Sequence, residues 1–346
     1  MARRGVLRCL AAAVLFGASA PAASVLARDM DVLSLAGLLY LGAAVAAAPV
    51  VAARRPPPGA VVAAWKPVAV AIVAGGAVGP VLLVAGLARI DAATASILLN
   101  LELVATVVLA ATLFREHLGR RVLAGAGVVT VAGVLLVWEP GADLSVGALL
   151  IAAACACWGL DNCVTARIDN LSPESVVLAK GAVAGSVNVA LGFVVVGSTA
   201  GVSAGQVAAA LMIGAAGYGL SISLWVKGAR DLGAARAQVI FATAPFIGAV
   251  VAWVALADPV TAVQLAAGVL AGVGVGLSID SAHEHRHRHE QKLHDHEHIH
   301  PDVHHLHEHP GGFVGRHSHP HRHERVLVHA HPHVPDLHHR HDHDHE

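Results

Sequence analysis

The chain has 346 residues, of which 55% are hydrophobic and only 14% charged, too little polar surface for a soluble globule. A lipid bilayer is the solvent that fits this composition. Residues 1–280 carry 16 Lys and Arg against 13 Asp and Glu, and residues 281–346 carry 7 against 11. The resulting net charges, +3 and −4, leave neither part with the basic face of a nucleic-acid binder.

A helix needs about 20 apolar residues to cross roughly 30 Å of hydrocarbon. Ten such runs are predicted, at residues 6–27, 32–53, 68–87, 92–114, 122–138, 144–166, 176–196, 207–226, 234–256 and 261–279. Proline and charge separate them: Arg54-Arg55 before three prolines, Arg115-Glu116-His117, Glu139-Pro140, Ser172-Pro173-Glu174 and Asp258-Pro259. Cys9, Cys155, Cys157 and Cys163 fall inside apolar stretches without a CxxC pair, the pattern of small buried hydrophobes.

Lys and Arg are retained on the cytoplasmic side, so their distribution sets the orientation. With the N-terminus inside, Arg3, Arg4, Arg8, Arg54, Arg55, Lys66, Arg115, Arg120, Arg121, Arg167, Lys180, Lys227, Arg230 and Arg236 are cytoplasmic, and Arg28 and Arg89 lie outside. Ten spans then place both termini in the cytoplasm of a cell with an inner membrane. Arg3, Arg4 and Arg8 before an apolar run and Ala18-Ser19-Ala20 also have the layout of a secretory signal peptide, whose cleavage would leave nine spans. That segment has a non-terminal counterpart later in the chain, which favours ten.

An offset of 142 residues superposes the two halves: Gly17 falls on Gly159, Gly86 on Gly228, Glu102 on Ala244 and Glu116 on Asp258. Five spans per copy is an odd number, so the second copy enters the membrane upside down. The expected fold is therefore all-α: about ten transmembrane helices in two inverted five-helix repeats, residues 1–140 and 141–280, with a disordered tail over residues 281–346. Inverted repeats are the plan of secondary transporters, whose solute site lies at the midplane between the copies and which work by alternating access.

The stretch LELVATVVLAATLFREHLGRRVLAGAGVVTVAGVLLV resembles the end of an EamA domain, the repeat unit of the drug/metabolite transporter (DMT) superfamily. ATAPFIGAVVAWVALADPVTAVQLAAGVLAGVGVGLSI resembles its second copy, and CWGLDNCVTARI and GYGLSISLWVKGARDLGAARAQVIFATAPF are similar to EamA permeases. The resemblance covers nearly all of residues 5–280. It implies ten helices, cytoplasmic termini and a metabolite-exporter role, and it names no substrate. Leu103 stands after Glu102 where the family often has Glu-Pro, and Asp258 stands where a glutamate is usual.

An ionisable group at the centre of a membrane helix costs about 2.5 to 3.5 kcal/mol on insertion scales, so those that remain need a reason. Glu102, near the middle of the fourth span, is the first candidate for solute binding or proton coupling, because a carboxyl group away from bulk water can exchange a proton during a cycle. Asp161 and Asn162 in the sixth span come second; the structural alternative for each is a hydrogen-bonded pair between helices. Asn100, Asn188, Gln238, Tyr40, Tyr218 and Trp225 are further candidates for lining a cavity, although Asn or Gln in a span is as often glue between helices. Gly125, Gly127, Gly133, Gly268, Gly272 and Gly276 have the spacing of close helix contacts, within a monomer or in a homodimer. No Gly-rich loop ends in Lys-Ser or Lys-Thr and no HExxH is present, so the chain carries no signature of an ATP-driven pump or a zinc protease and is read as no enzyme.

Of the 25 histidines, 24 follow Ser281. Low-complexity, polar and interrupted by proline, this tail is expected to build no core. The alternation of His283, His285, His287 and His289, of His294, His296, His298 and His300, of His317, His319 and His321, of His331 and His333, and of His338, His339, His341, His343 and His345 lets several imidazoles gather round one ion. Such a donor set suits Zn, Ni, Co or Cu, with Asp295, Glu297, Asp342 and Asp344 beside it. Two readings of the whole follow. One is a secondary transporter of a small metabolite whose cytoplasmic tail senses or buffers metal, with no cofactor needed for transport. The other is a divalent transition-metal transporter whose tail loads the ion, against which stands the lack of any histidine in the spans.

Overall fold

The computed structural model describes every residue except 1, 55–58, 114–119, 138–144, 166–167, 169–170, 197–201, 233–239, 280–282, 290–292, 299–316, 323–326 and 334–346. Helices occupy all ten predicted places: span 1 (Ala2–Leu26), span 2 (Val32–Arg54), span 3 (Trp65–Leu87), span 4 (Ala92–Thr112) and span 5 (Arg120–Val137) form one repeat. Span 6 (Val146–Thr165), span 7 (Pro173–Val196), span 8 (Ala204–Gly228), span 9 (Ala244–Ala255) and span 10 (Ala262–Ile279) form the other. Among the described residues seven of them are long and apolar enough to cross a bilayer. Lipid offers the backbone no hydrogen bonds, so these Ala-, Val- and Leu-rich runs must satisfy it internally, as helices do.

Side chains finish the helix ends that the hydrogen-bond ladder leaves open. Asp91 Oδ1 accepts from the Thr94 N–H at 2.7 Å, and Asp258 Oδ2 from the Ala93 N–H at 3.1 Å, so a residue of the second repeat caps span 4 of the first. Ser203 and Gln206 form a capping box at the start of span 8.

The packing obeys the internal repeat. Spans 2 and 7 pair with each other, as do spans 5 and 10; span 8 packs on span 1 as span 3 packs on span 6, and span 9 on span 1 as span 4 on span 6. Equivalent glycines mark equivalent crossings. A Cβ on Gly17 would strike the Ala244 carbonyl and Gly248, and one on Gly159, 142 residues on, would strike Ala105 and Thr106, the counterparts of Ile247 and Gly248. Likewise Gly86 abuts Gly147 and Ile151, and Gly228 abuts Gly5 and Cys9. Absent side chains let backbones approach where nothing else drives helices together in lipid. Gly133 and Gly125 also lie at such contacts, but Gly127, Gly268 and Gly276 face open space and Gly272 meets only Phe246 at 3.8 Å, so spacing alone overstated that stripe.

Cys9, Cys155 and Cys163 are buried and Cys157 is half-buried. The tail is a separate unit, Ala282–Glu346. Within it His283–His289 pairs antiparallel with Leu327–His333, and Leu293–His298 with His317–Arg322. Two-stranded ribbons of this kind supply no hydrophobic core.

Candidate functional site

The site grows from an irregularity in span 3. Residues Ala71–Val78 wind as a π-helix, and the Gly79 N–H bonds back to the Ala74 carbonyl, five residues away. In that register the Gly75 carbonyl would be served by residue 80, which is a proline and has no N–H. An unpaired buried carbonyl is costly. Two neighbours supply what the ladder cannot: the Tyr40 hydroxyl donates to Gly75 O at 2.5 Å from span 2, and Trp158 Nε1 donates at 3.1 Å from span 6. Asn188 on span 7 donates to Ala77 O at 3.1 Å, which makes it glue between helices.

Against this segment lies a buried ion pair. Asp161, 4% exposed, accepts from Lys180 Nζ at 2.5 Å on Oδ2 and from the Thr165 hydroxyl at 3.0 Å on Oδ1. Its carboxylate presses so closely on Gly75 that a Cβ there would collide with it. Lys180, counted above with the cytoplasmic residues, stands seven residues inside Pro173–Val196, about 10 Å along the helix, and is held by Asp161. Its position inside an apolar run was the available signal, since an ionisable residue there is a functional candidate by default.

Glu102 sits at the middle of span 4, half-buried, and its Oε1 accepts from Asn162 Nδ2 at 2.7 Å. It interacts electrostatically with Asp161 and Lys180 as well. Span 4 is broken just before it, into Ala92–Leu98 and Leu101–Thr112. Residue 103 is a leucine, and the break arises where Asn100 turns its amide onto the Ile97 carbonyl at 2.8 Å and competes with the ladder. Span 9 carries its own proline, Pro245, at the equivalent position and starts its main helix there.

Of the remaining candidates, Tyr40, Tyr218 and Trp225 belong to an aromatic string. Tyr40 and Tyr218 are 5.8 Å apart, Tyr218 meets Phe16 edge-on at 5.9 Å, Phe16 lies 5.3 Å from Phe241, and Phe241 lies 6.3 Å from Trp225. Tyr218 itself lies in a second π-helix, Ala215–Leu220, whose place in span 8 matches that of the first in span 3. Gln238, Arg236 and His117 lie outside the described residues, as do His300, His338, His339, His341, His343 and His345. Among the described residues no group of His, Cys, Asp and Glu is placed to hold a metal ion.

The repeat also acts as an internal control. The positions matching Asp161, Lys180 and Glu102 in the other half are Ser19, Leu38 and Ala244, and Ser19 faces Gly217 as Asp161 faces Gly75. The fold accommodates uncharged residues at all three places.

Two inverted five-helix repeats with polar and charged side chains gathered at their interface define a multi-pass membrane transporter of small solutes. Residues 3–138 and 145–279 each match the model of the EamA-like transporter family, and the chain belongs to that family. Its members are transporters, not enzymes. A solved structure titled "Crystal structure of protein" is 19% identical and covers 80% of this chain and 97% of its own, with a TM-score of 0.56, a likeness that speaks for the fold alone. No curated protein matches the chain.

Proposed function

We propose that this protein is a secondary transporter that moves a small organic solute across the inner membrane by alternating access, with Glu102 exchanging a proton for the solute. The observation that carries the reading is the charge asymmetry between the repeats: Glu102, Asp161 and Lys180 occupy positions that the other half fills with Ala244, Ser19 and Leu38. Charge that the fold does not need, kept where it is expensive, is best explained by work done on a solute. Asn162 occupies one acceptor site of the Glu102 carboxylate and leaves others for a proton or a cationic group. Because Glu102 belongs to one repeat and Asn162 to the other, a rocking of the halves changes what the carboxylate faces.

Both termini are cytoplasmic in this reading. With Lys180 removed from the count, thirteen Lys and Arg remain on the inner side against Arg28 and Arg89 outside. Residues 1–140 and 141–280 are the two working halves, embedded in lipid as a monomer or homodimer, and residues 281–346 form a cytoplasmic tail that binds Zn, Ni, Co or Cu through imidazole. The register of the tail's two ribbons supports that: His283 lies opposite His333, His285 opposite His331 and His287 opposite His329, and His294, His296 and His298 lie opposite His321, His319 and His317. Transport of the metal itself is the second reading, and it asks Glu102, Asp161 and Asn162 to serve as oxygen donors, a hard set for such ions.

The test compares cells making the full chain, a chain ending at Asp280 and a Glu102→Gln variant, by profiling small metabolites and Ni, Co, Zn and Cu in each. The full chain is expected to lower one class of organic solute, and Glu102→Gln to abolish that change while remaining inserted and folded. Normal flux in Glu102→Gln removes Glu102 from the mechanism. A Glu102-dependent change in one metal, with the metabolites constant, selects the second reading.

A further inference from the structure

Three charged side chains meet between spans 4, 6 and 7, and their arithmetic is unequal: two carboxyl groups and one ammonium. Asp161 is paired with Lys180 from span 7, interacts electrostatically with Glu102 from span 4 and Tyr40 from span 2, and lies against the uncharged Gly75 of span 3. Glu102 interacts electrostatically with Asp161 and Lys180, with Tyr40 and Tyr218, and with Cys155. The ammonium is shared unevenly, because Lys180 Nζ contacts Asp161 Oδ2 directly at 2.5 Å whereas Glu102 takes its hydrogen bond from the neutral Asn162 amide. Thr165 donates its hydroxyl to the other Asp161 oxygen, so among the described residues both carboxylate oxygens accept a hydrogen bond. The Thr165 hydroxyl could turn to accept from a protonated Asp161, but the Lys180 ammonium can only donate, so a proton on Asp161 would leave Lys180 without its anionic partner.

We infer that Lys180 is a positioning residue that keeps Asp161 a carboxylate throughout the cycle, so that Glu102 alone takes up the exchanged proton and one proton crosses per turnover. The inference rests on the reading of Glu102 as the coupling carboxyl. The step is simple: a proton from water on one side binds the Glu102 carboxylate, taking the three-residue cluster from one net negative charge to none, and leaves to water on the other side. The repeat supports the pairing of roles, since the half that has Leu38 in place of Lys180 also has Ser19 in place of Asp161.

The test needs no identified solute. Full-length protein in lipid nanodiscs is titrated from about pH 5 to 9, above the range where exposed carboxyl groups protonate, while infrared difference spectra follow the carbonyl stretch of buried carboxylic acids. With the buried Glu174 replaced in every sample (Glu174→Gln), the protein should show one such band, lost in Glu102→Gln and kept in the Asp161→Asn/Lys180→Met double variant. Lys180→Met alone should double the absorbance by adding a second band, which Asp161→Asn then removes. A Lys180→Met protein with no added band overturns the inference, and so does a double variant that loses the native band. If Lys180→Met does not fold, the double variant and the exchanged pair Asp161→Lys/Lys180→Asp decide: each should retain one band, and any other number overturns it. Absence of the band from the native protein defeats the Glu102 reading separately, because the second band of Lys180→Met is still scored by its dependence on Asp161.

Discussion

Gly75 O is a single atom whose partners can be removed one at a time. Tyr40→Phe and Trp158→Phe each delete one donor and leave the other, so each should cost about 1 kcal/mol. Together they strand a buried carbonyl beside Pro80, and the combined loss should exceed the sum of the two, with about 1–3 kcal/mol assigned to the unsatisfied group. Thermal unfolding of the purified variants in one detergent measures this; strict additivity would mean that water or a backbone shift serves Gly75 instead. The ion pair makes a contrasting case. Asp161→Asn leaves Lys180 without its carboxylate and should destabilise by about 3–5 kcal/mol, Lys180→Met should cost less because Asp161 can then take up a proton, and the double change should come back close to the native midpoint. A double variant as unstable as either single one would show that the pair holds the fold together, which the uncharged Ser19 and Leu38 of the other half argue against.

At the scale of helices, the crossings depend on glycines that the repeat duplicates. Gly86→Val should force span 3 off Ile151 and Gly147, and Gly228→Val should force span 8 off Cys9 and Gly5, with similar losses of about 1–3 kcal/mol or more. Gly127→Ala and Gly276→Ala, where no atom lies within 4 Å, should be neutral or slightly stabilising, since glycine is the poorer helix former by about 1 kcal/mol. Midpoints of thermal unfolding separate the two groups, and equal losses in all four would refute the packing argument. These elements also show what could be read in advance. The ten spans and the inversion were legible because length, apolarity and an odd number of spans per copy are properties of the sequence. The π-helix of span 3 was not, because whether Gly75-Gly76 ahead of Gly79-Pro80 bends, breaks or widens a helix depends on donors such as Tyr40 and Trp158 that arrive from other spans. The break in span 4 was missed for a related reason. Asn100 in an apolar span reads as a possible cavity residue, and its bond to the Ile97 carbonyl depends on the local backbone that only the fold fixes.

The whole molecule joins two parts with different solvents, and its behaviour should divide at the same place. On the proposed reading, membrane insertion and the Glu102-dependent activity are expected of residues 1–280, and metal binding with a dependence on mild acid is expected of residues 281–346. An imidazole ligand must be neutral, so a tail held together by metal loses its ligands as pH falls through about 6.5, and the lost affinity steepens with the number of imidazoles per ion. Equilibrium dialysis of the full-length protein against Zn or Ni should therefore find several ions bound at about pH 7.5 and few at pH 5.5, while a chain ending at Asp280 binds almost none at either. The opposed histidines of the ribbons sharpen the expectation. Changing His317, His319 and His321 to alanine removes one side of the ribbon that also carries His294, His296 and His298, and should lower the number of bound ions without changing the ribbon formed by His283–His289 and Leu327–His333. Binding that is indifferent to pH would point to the interleaved carboxylates instead, and the tail would then be an acidic segment rather than an imidazole site.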